Sequence, residues 1–118
     1  MLFRSRAGIA AQGLGIAEGA TEYALQYAKS RETMGRPIVQ HQLIAGKLAD
    51  MSTKCTAAAA LLYRFANMVD AGVDGPELTM ASAQAKLYCS DVAMEVTTEA
   101  VQILGGYGYI KEIGRAHV

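Results

Sequence analysis

The feature that most constrains the fold is an unbroken apolar seam in the middle of the chain. Between residues 44 and 69, eight apolar residues follow one another at alternating steps of four and three. That spacing puts them on one stripe of an α-helix and is typical of helices that pack nearly parallel to their neighbours. It predicts a helix over residues 40–71 that belongs to a bundle. The seam consists of Ile44, Leu48, Met51, Cys55, Ala58, Leu62, Phe65 and Val69.

Two further helices are predicted, over residues 6–33 and 76–104. In the first, apolar or small residues recur at steps of three and four; in the third, apolar residues mark two faces, so we expect burial on more than one side. A turn over residues 72–75 precedes Pro76, which suits the first helical position. The fold class predicted is therefore all-α, an up-down bundle of three long antiparallel helices. The face predicted for the first helix is Ile9, Gly13, Ile16, Ala20, Tyr23 and Tyr27.

Glycine is unusually frequent in the N-terminal half of the first predicted helix. Each glycine costs about 1 kcal/mol relative to alanine in a helix. We therefore expect another helix or a ligand to approach this stretch closely. The glycines are Gly8, Gly13, Gly15 and Gly19.

Composition excludes several classes of function. The 118 residues suffice for one small domain, and an apolar fraction of 52% argues against disorder. Eleven basic and eleven acidic side chains give no net charge, so the basic face of a nucleic-acid binder is not expected. No apolar run approaches the ~20 residues needed to span a membrane. Cys55 and Cys89 lie inside helical patterns and are expected to be buried, reduced thiols of an intracellular protein, and no zinc-like spacing is present.

The segment 27–51 combines a helix end, a tight break and a new helix. Arg31 lies at the end of the first predicted helix, and the pair His41-Gln42 opens the second. Arginine presents a rigid fork of donors that matches phosphate oxygens, and a helix N-terminus adds N–H groups and a positive dipole end. This corner predicts a site for an extended anionic ligand. The alternative is that no ligand binds here, so that Arg31 is a solvated arginine at a helix C-terminus and Gln42 is a polar first-turn residue without a partner.

A second segment, residues 101–109, closes the third predicted helix. Gln102 is followed by the pair Gly105-Gly106. Two glycines allow a left-handed exit from the helix and a close approach of the backbone to a ligand. The alternative interpretation of Gly105 is a plain helix C-cap. Two glycines and a preceding glutamine are more than a cap requires.

Taken in order, these segments resemble the C-terminal helical domain of the acyl-CoA dehydrogenase family of flavoproteins. That family shows R-x-x-F-G-x-P-I, then Q, then L-A-D-M, then A-V-Q-x-x-G-G-x-G-Y. Here Met34 stands where Phe is usual, and the resemblance covers nearly all of residues 6–111. It implies a fourth helix that would close the apolar groove left by three.

The resemblance also implies roles for individual residues. Arg31 would hold the pyrophosphate of FAD, with Thr33 and His41 as further contacts, and Gln42 would contact the flavin. Arg6 would contact the acyl-CoA substrate. No residue is assigned as the catalytic base, because the family's glutamates fall outside residues 6–111. The contacts at the adenine-ribose and pyrophosphate end of FAD would come from Gln102, Ile103, Leu104, Gly105 and Gly106.

The activity implied is oxidation of an acyl-CoA to the trans-2-enoyl-CoA, as in fatty acid β-oxidation. A carboxylate would remove the α proton while hydride leaves the β carbon for flavin N5, and electrons would pass to an electron-transfer flavoprotein. The parent protein would be a homotetramer in the cytoplasm, or in the mitochondrial matrix of a eukaryote. Two alternatives stay open: a helical interaction module without chemistry, and an acyl-CoA oxidase-type relative.

The two ends of the chain do not fit the family pattern. Residues 2–5 can be encoded by CTC TTC CGA TCT, and the reverse complement, preceded by one G, encodes residues 112–115. Such strings look like translated sequencing adapters. We therefore expect residues 6–111 to be a partial domain, and residues 1–5 and 112–118 to be non-native. Native tails are the alternative.

Overall fold

The computed structural model describes the backbone of residues 2–33 and 35–116, and the side chains of residues 6–32 and 35–105. Three long helices dominate, which confirms the all-α bundle. A two-stranded antiparallel hairpin and a single 3-10 turn connect the first two helices. In chain order the elements are α1 (Leu2–Ser30), β1 (Glu32–Thr33), β2 (Arg36–Pro37), the 3-10 turn (Ile38–Gln40), α2 (Gln42–Asp70) and α3 (Pro76–Ala116).

The helices run up, down and up, so that α1 and α3 are parallel and α2 opposes both. Arg6, near the start of α1, donates from Nη1 to Ser82 Oγ near the start of α3, over 3.3 Å. Lys54 of α2 joins Asp50 on its own helix, at 2.9 Å, to Glu95 of α3, at 2.8 Å. The hydrogen bond to Glu95 contributes most to raising the pKa of Lys54, and the bond to Asp50 contributes next. Both raise the pKa because they favour the ammonium form. The Lys54–Glu95 ion pair thus links α2 to α3 in their antiparallel arrangement.

The apolar seam of α2 is buried as predicted. Its side chains from Ile44 to Phe65 line the core, apart from Leu62, which is half-buried. Val69, in the last turn of α2, is 47% exposed. One predicted face of α3 is also buried, namely Ala81, Ala85, Val92, Val96 and Ala100.

The second predicted face of α3 is not buried in this chain. A row of large apolar side chains at steps of seven is exposed by 60–70%. The expectation of burial on two sides is therefore wrong for the chain alone, because α1 and α2 cover only one side of α3. The row consists of Met80, Leu87, Met94 and Val101.

The face predicted for α1 is only partly buried: Gly13 is buried, and Ala20 and Tyr27 are half-buried against the core, but the other three residues are exposed. Ile9, Ile16 and Tyr23 are 47%, 57% and 66% exposed. The buried side is lined mainly by small residues, which let α1 approach α3 closely. Its members are Ala10, Gly13, Leu14, Ala17, Ala24 and Ala28.

Gly13 marks the close approach that the glycine-rich stretch predicted. A Cβ at this position would lie 3.0 Å from the backbone oxygen of Cys89 and 3.3 Å from its carbonyl carbon. Those atoms belong to the backbone of α3, so they can be displaced only if the helix itself moves. Gly8, Gly15 and Gly19 would meet nothing within 4 Å, so the explanation holds for Gly13 only.

We expect Gly13→Ala to destabilise the bundle. The gain in helix propensity, about 1 kcal/mol, is at most equal to the roughly 1–3 kcal/mol that overpacking against a rigid backbone costs. Gly15→Ala is the matched control and should raise the midpoint of thermal unfolding, followed by circular dichroism. Equal midpoints for the two variants would contradict the close contact with Cys89.

The two cysteines should differ in reactivity. Cys89 is completely buried, its Sγ donates to the Ala58 carbonyl oxygen over 3.6 Å, and burial raises its pKa. Cys55 is 8% exposed beside Thr21 Oγ1, in a cleft between α1 and α2. Because the thiolate is the reactive form, iodoacetamide should label Cys55 well before Cys89, as read by mass spectrometry.

The raised pKa of Cys89 also gives stability a pH dependence. The unfolded chain loses this proton first, so the contribution is fully present below about pH 8.5 and is lost as pH rises further. Equal labelling rates for Cys89 and Cys55 in the folded chain would contradict the expected difference in reactivity between the two thiols.

Two predicted helix ends differ from the structure. α1 ends at Ser30 rather than Thr33, because the chain turns into the hairpin: the Arg31 N–H still donates to the Tyr27 oxygen, but the Arg31 oxygen accepts from Ile38 N–H. α3 does not end at Leu104 but continues to Ala116. Gly105 is helical, because each residue added to a helix gains a backbone hydrogen bond. Glycine permits a helix to end but does not force it to end. The positive φ angles among the described glycines belong to Gly35, Gly72 and Gly75.

Candidate functional site

One end of the bundle gathers most of the residues singled out from the sequence. The hairpin joins the end of α1 to the start of α2, so Arg31, His41 and Gln42 lie at the same end. Because α3 runs parallel to α1, it brings Gln102 there as well: Lys47 Nζ, in the second turn of α2, lies 3.0 Å from Gln102 Oε1. We call this end, formed by residues 31–47 and 99–105, the corner end.

The hairpin holds the backbone of Arg31 in place. Gly35 has a φ of +81°, a conformation that glycine adopts without strain, and it lets the chain reverse between Thr33 and Arg36. Ile38 follows and is fully buried against the helices. Its N–H donates to the Arg31 carbonyl oxygen over 2.7 Å. The end of α1 is thereby tied to the segment that leads into α2.

The Arg31 side chain offers a cation at this end. Its guanidinium lies over the Tyr27 ring, 5.8 Å from the centroid, which supports it from one side. No carboxylate of residues 6–32 or 35–105 lies within ion-pair distance of it. Its charge is thus uncompensated by the described side chains, and its donors suit phosphate or carboxylate oxygens.

The start of α2 adds backbone donors. His41 is the N-cap residue, with an extended backbone, and its carbonyl oxygen accepts from Ala45 N–H over 2.9 Å. The His41 side chain makes no capping hydrogen bond to the first turn. The N–H groups of that turn and the positive end of the helix dipole therefore face the corner end, where they favour an anion. Gln42 is exposed beside them.

α3 contributes an amide held by an ion pair. Gln102 is exposed, and its Oε1 accepts from Lys47 Nζ, which also lies 3.1 Å from Glu99 Oε2. Lys47 and Glu99 are each about one-third exposed. The three side chains form one hydrogen-bonded unit between α2 and α3.

The family of the chain follows from its match to a family model. Residues 1–118 match the model described as the C-terminal domain of acyl-CoA dehydrogenase. The chain belongs to the acyl-CoA dehydrogenase family.

Relatives of this acyl-CoA dehydrogenase domain agree with that assignment. An acyl-CoA dehydrogenase of Bacillus subtilis is 50% identical over 91% of the chain, and a caffeyl-CoA reductase-Etf complex subunit of Acetobacterium woodii is 44% identical over 91%. The structure of butyryl-CoA dehydrogenase from Megasphaera elsdenii superposes with a TM-score of 0.84, at 49% identity over 92% of the chain. The chain spans 27% of the length of each of these proteins.

Not every predicted site residue of this acyl-CoA dehydrogenase domain lies at the corner end. Arg6 precedes Arg31 by 25 residues along one helix, which places it about 37 Å away at the opposite end, where it bonds Ser82. Ile103 points into the core, Leu104 is half-buried, and Gly105 lies within α3. The Thr33 side chain and the surroundings of Gly106 lie outside the described residues.

Sequence reasoning missed Lys47 and Glu99. They lie 52 residues apart and meet only through the register of two antiparallel helices, which no spacing along the chain reveals. No group of three or more candidate metal ligands, and no helix long and apolar enough to cross a membrane, occurs within the described part of the chain.

Proposed function

We propose that this chain is the FAD-contacting C-terminal helical domain of an acyl-CoA dehydrogenase. The observation that carries the proposal is the meeting of three features at one end of the bundle. These are the guanidinium of Arg31, which no described carboxylate pairs, the N-terminal turn of α2 and the amide of Gln102. Together they offer donors to an elongated dianion, which fits the pyrophosphate of FAD and the groups on either side of it.

Each residue at the corner end has a distinct part in this proposal. Arg31 donates to the pyrophosphate oxygens, and Gln42 donates from the first turn of α2 toward the flavin. Thr33 and His41 add hydroxyl and imidazole contacts. Gln102 binds the adenosine end, with the backbone of residues 103–106 alongside it. Arg6, at the opposite end, contacts acyl-CoA.

The reaction proposed is oxidation of an acyl-CoA thioester to the trans-2-enoyl-CoA. A carboxylate removes the α proton, and bound FAD accepts the hydride that leaves the β carbon. We assign no carboxylate of this chain as that base. The electrons then pass to an electron-transfer flavoprotein, a partner class consistent with the name of the A. woodii relative.

We also propose a homotetramer in which this domain supplies subunit contacts. The exposed apolar row of α3 needs a cover, which the implied fourth helix or a neighbouring subunit would supply, since isolated large apolar side chains are common on surfaces but a regular row of four is not. Residues 6–111 would be the native part of the domain. Sequencing the gene from an independent source of DNA would test it.

The test of the function is to express the full-length gene and assay the purified protein. We expect bound FAD that is bleached on addition of butyryl-CoA or a longer acyl-CoA, with electrons recovered on an electron-transfer flavoprotein. Rapid formation of hydrogen peroxide instead would indicate the oxidase-type relative. A protein that binds no FAD and bleaches with no acyl-CoA would support the interaction module and contradict the proposal.

A further inference from the structure

We propose that Lys47 is a positioning residue, which orients the Gln102 amide so that its NH₂ group faces the cofactor. This inference rests on the proposed FAD site. Lys47 Nζ lies 3.0 Å from Gln102 Oε1 and 3.1 Å from Glu99 Oε2. Both acceptors are on α3, three residues apart and therefore on the same face of the helix. The ammonium bridges them from α2.

The chemistry of lysine decides which way the amide points. The two ends of a glutamine amide have nearly the same shape, so packing alone does not distinguish them. An ammonium carries three donors and no acceptor, so only the amide oxygen can face Lys47. The Nε2 group of Gln102 then points away from Lys47 with two N–H donors. No other hydrogen bond of this side chain forms within residues 6–32 and 35–105.

That orientation matters because the proposed ligand is rich in acceptors. Pyrophosphate, ribose and adenine present oxygen and nitrogen lone pairs, which a donor must meet. An amide free to rotate would offer its oxygen for part of the time and would lose entropy on binding. Lys47 removes that cost before the cofactor arrives, which is preorganisation. Glu99 in turn holds the lysine in place.

The chain contains a matched control for this role. Lys54, two helical turns further along α2, pairs with Asp50 and Glu95 at 2.9 and 2.8 Å. It links the same two helices by the same kind of contact but touches no amide in the described residues. A purely structural lysine at position 47 should therefore behave like Lys54.

The experiment uses the full-length FAD holoenzyme, stripped of cofactor and reconstituted with FAD. The variants are Lys47→Met, Lys54→Met, Gln102→Leu and the double variant Lys47→Met with Gln102→Leu. FAD dissociation constants and unfolding midpoints are measured for each. We expect Lys47→Met and Gln102→Leu each to weaken FAD binding by about 5–10-fold, the range of one hydrogen bond. The double variant should be no weaker than Gln102→Leu alone.

Two conservative variants sharpen the result. Gln102→Glu keeps a contact with Lys47 and should preserve the unfolding midpoint, yet weaken FAD binding more than Gln102→Leu does, since it replaces donors with a negative charge. Lys47→Arg keeps both charge and donors and should bind FAD within about twofold of the wild type. Because Gln102→Glu leaves Lys47 in place, its loss of FAD affinity at an unchanged unfolding midpoint can be measured even if Lys47→Met does not fold.

The outcomes separate this inference from the proposed function. Lys54→Met should lower the unfolding midpoint at least as much as Lys47→Met while FAD affinity stays within about twofold of wild type. Equal losses of affinity in the two lysine variants, or additive losses in the double variant, would overturn the role of Lys47. If Gln102→Leu weakens FAD binding and Lys47→Met does not, only this inference fails. If neither Gln102→Leu nor Arg31→Ala has an effect, the FAD site itself is wrong.

Discussion

Arg31→Ala in the full-length protein is expected to lower FAD affinity by about 10²–10⁴-fold, since it removes two charge-assisted hydrogen bonds of roughly 1.5–3 kcal/mol each. The guanidinium has no ion-pair partner among the described residues, so removing it leaves no carboxylate unpaired. Its contact with the Tyr27 ring is partly exposed and contributes little to folding. The unfolding midpoint of the cofactor-free protein should therefore stay close to that of the wild type.

A nearby cation serves as the control for Arg31. Lys29 is exposed in the last turn of α1 and carries the same charge, two residues earlier. Lys29→Ala should change FAD affinity only through long-range electrostatics, by about twofold or less at 0.15 M salt. Flavin content after purification and FAD titration of the stripped protein report both effects. Similar flavin content in the Arg31→Ala variant and the wild type would refute the role of Arg31.

Ile38→Ala is expected to have the largest effect on stability at the corner end. Ile38 is fully buried where the hairpin meets α1 and α2, and truncating such a side chain costs about 2–5 kcal/mol, part of it for the cavity left behind. The same change should loosen the segment between Arg31 and His41. We therefore expect weaker FAD binding in the full-length protein, although Ile38 need not touch the cofactor.

Val39 is the matched control for Ile38. It is the next residue in the same 3-10 turn and is only half-buried, so Val39→Ala should cost about 1 kcal/mol. Chemical denaturation of the two variants gives the comparison directly. A loss at Ile38 no greater than that at Val39 would show that the hairpin is not anchored by this side chain.

The sequence predicted α2 and the buried face of α3 well, because large apolar residues there recur with a helical period and line the core. The face predicted for α1 was right only in part, for a physical reason. Ile9, Ile16 and Tyr23 form an equally regular stripe, but α3 packs against the neighbouring alanines and Gly13. Periodicity shows that a face exists, and only the partner helix decides which face is covered.

Some parts of the candidate site could likewise be predicted from the sequence and others could not. The corner between Arg31 and Gln42 is local in sequence, so its break and its new helix start were readable from the residues. The expected exit at Gly105 was wrong, since glycine permits a helix end without requiring one. The pairing of Lys47 with Gln102 depends on the register of α2 against α3, which the sequence alone does not give.

The most direct test of the central claim is a structure of the full-length protein with FAD bound. We predict that the Arg31 guanidinium lies within about 3 Å of pyrophosphate oxygens and that Gln102 Nε2 donates to the adenosine half, with Oε1 toward Lys47. FAD bound away from the corner end, with Arg31 facing solvent, would contradict the account.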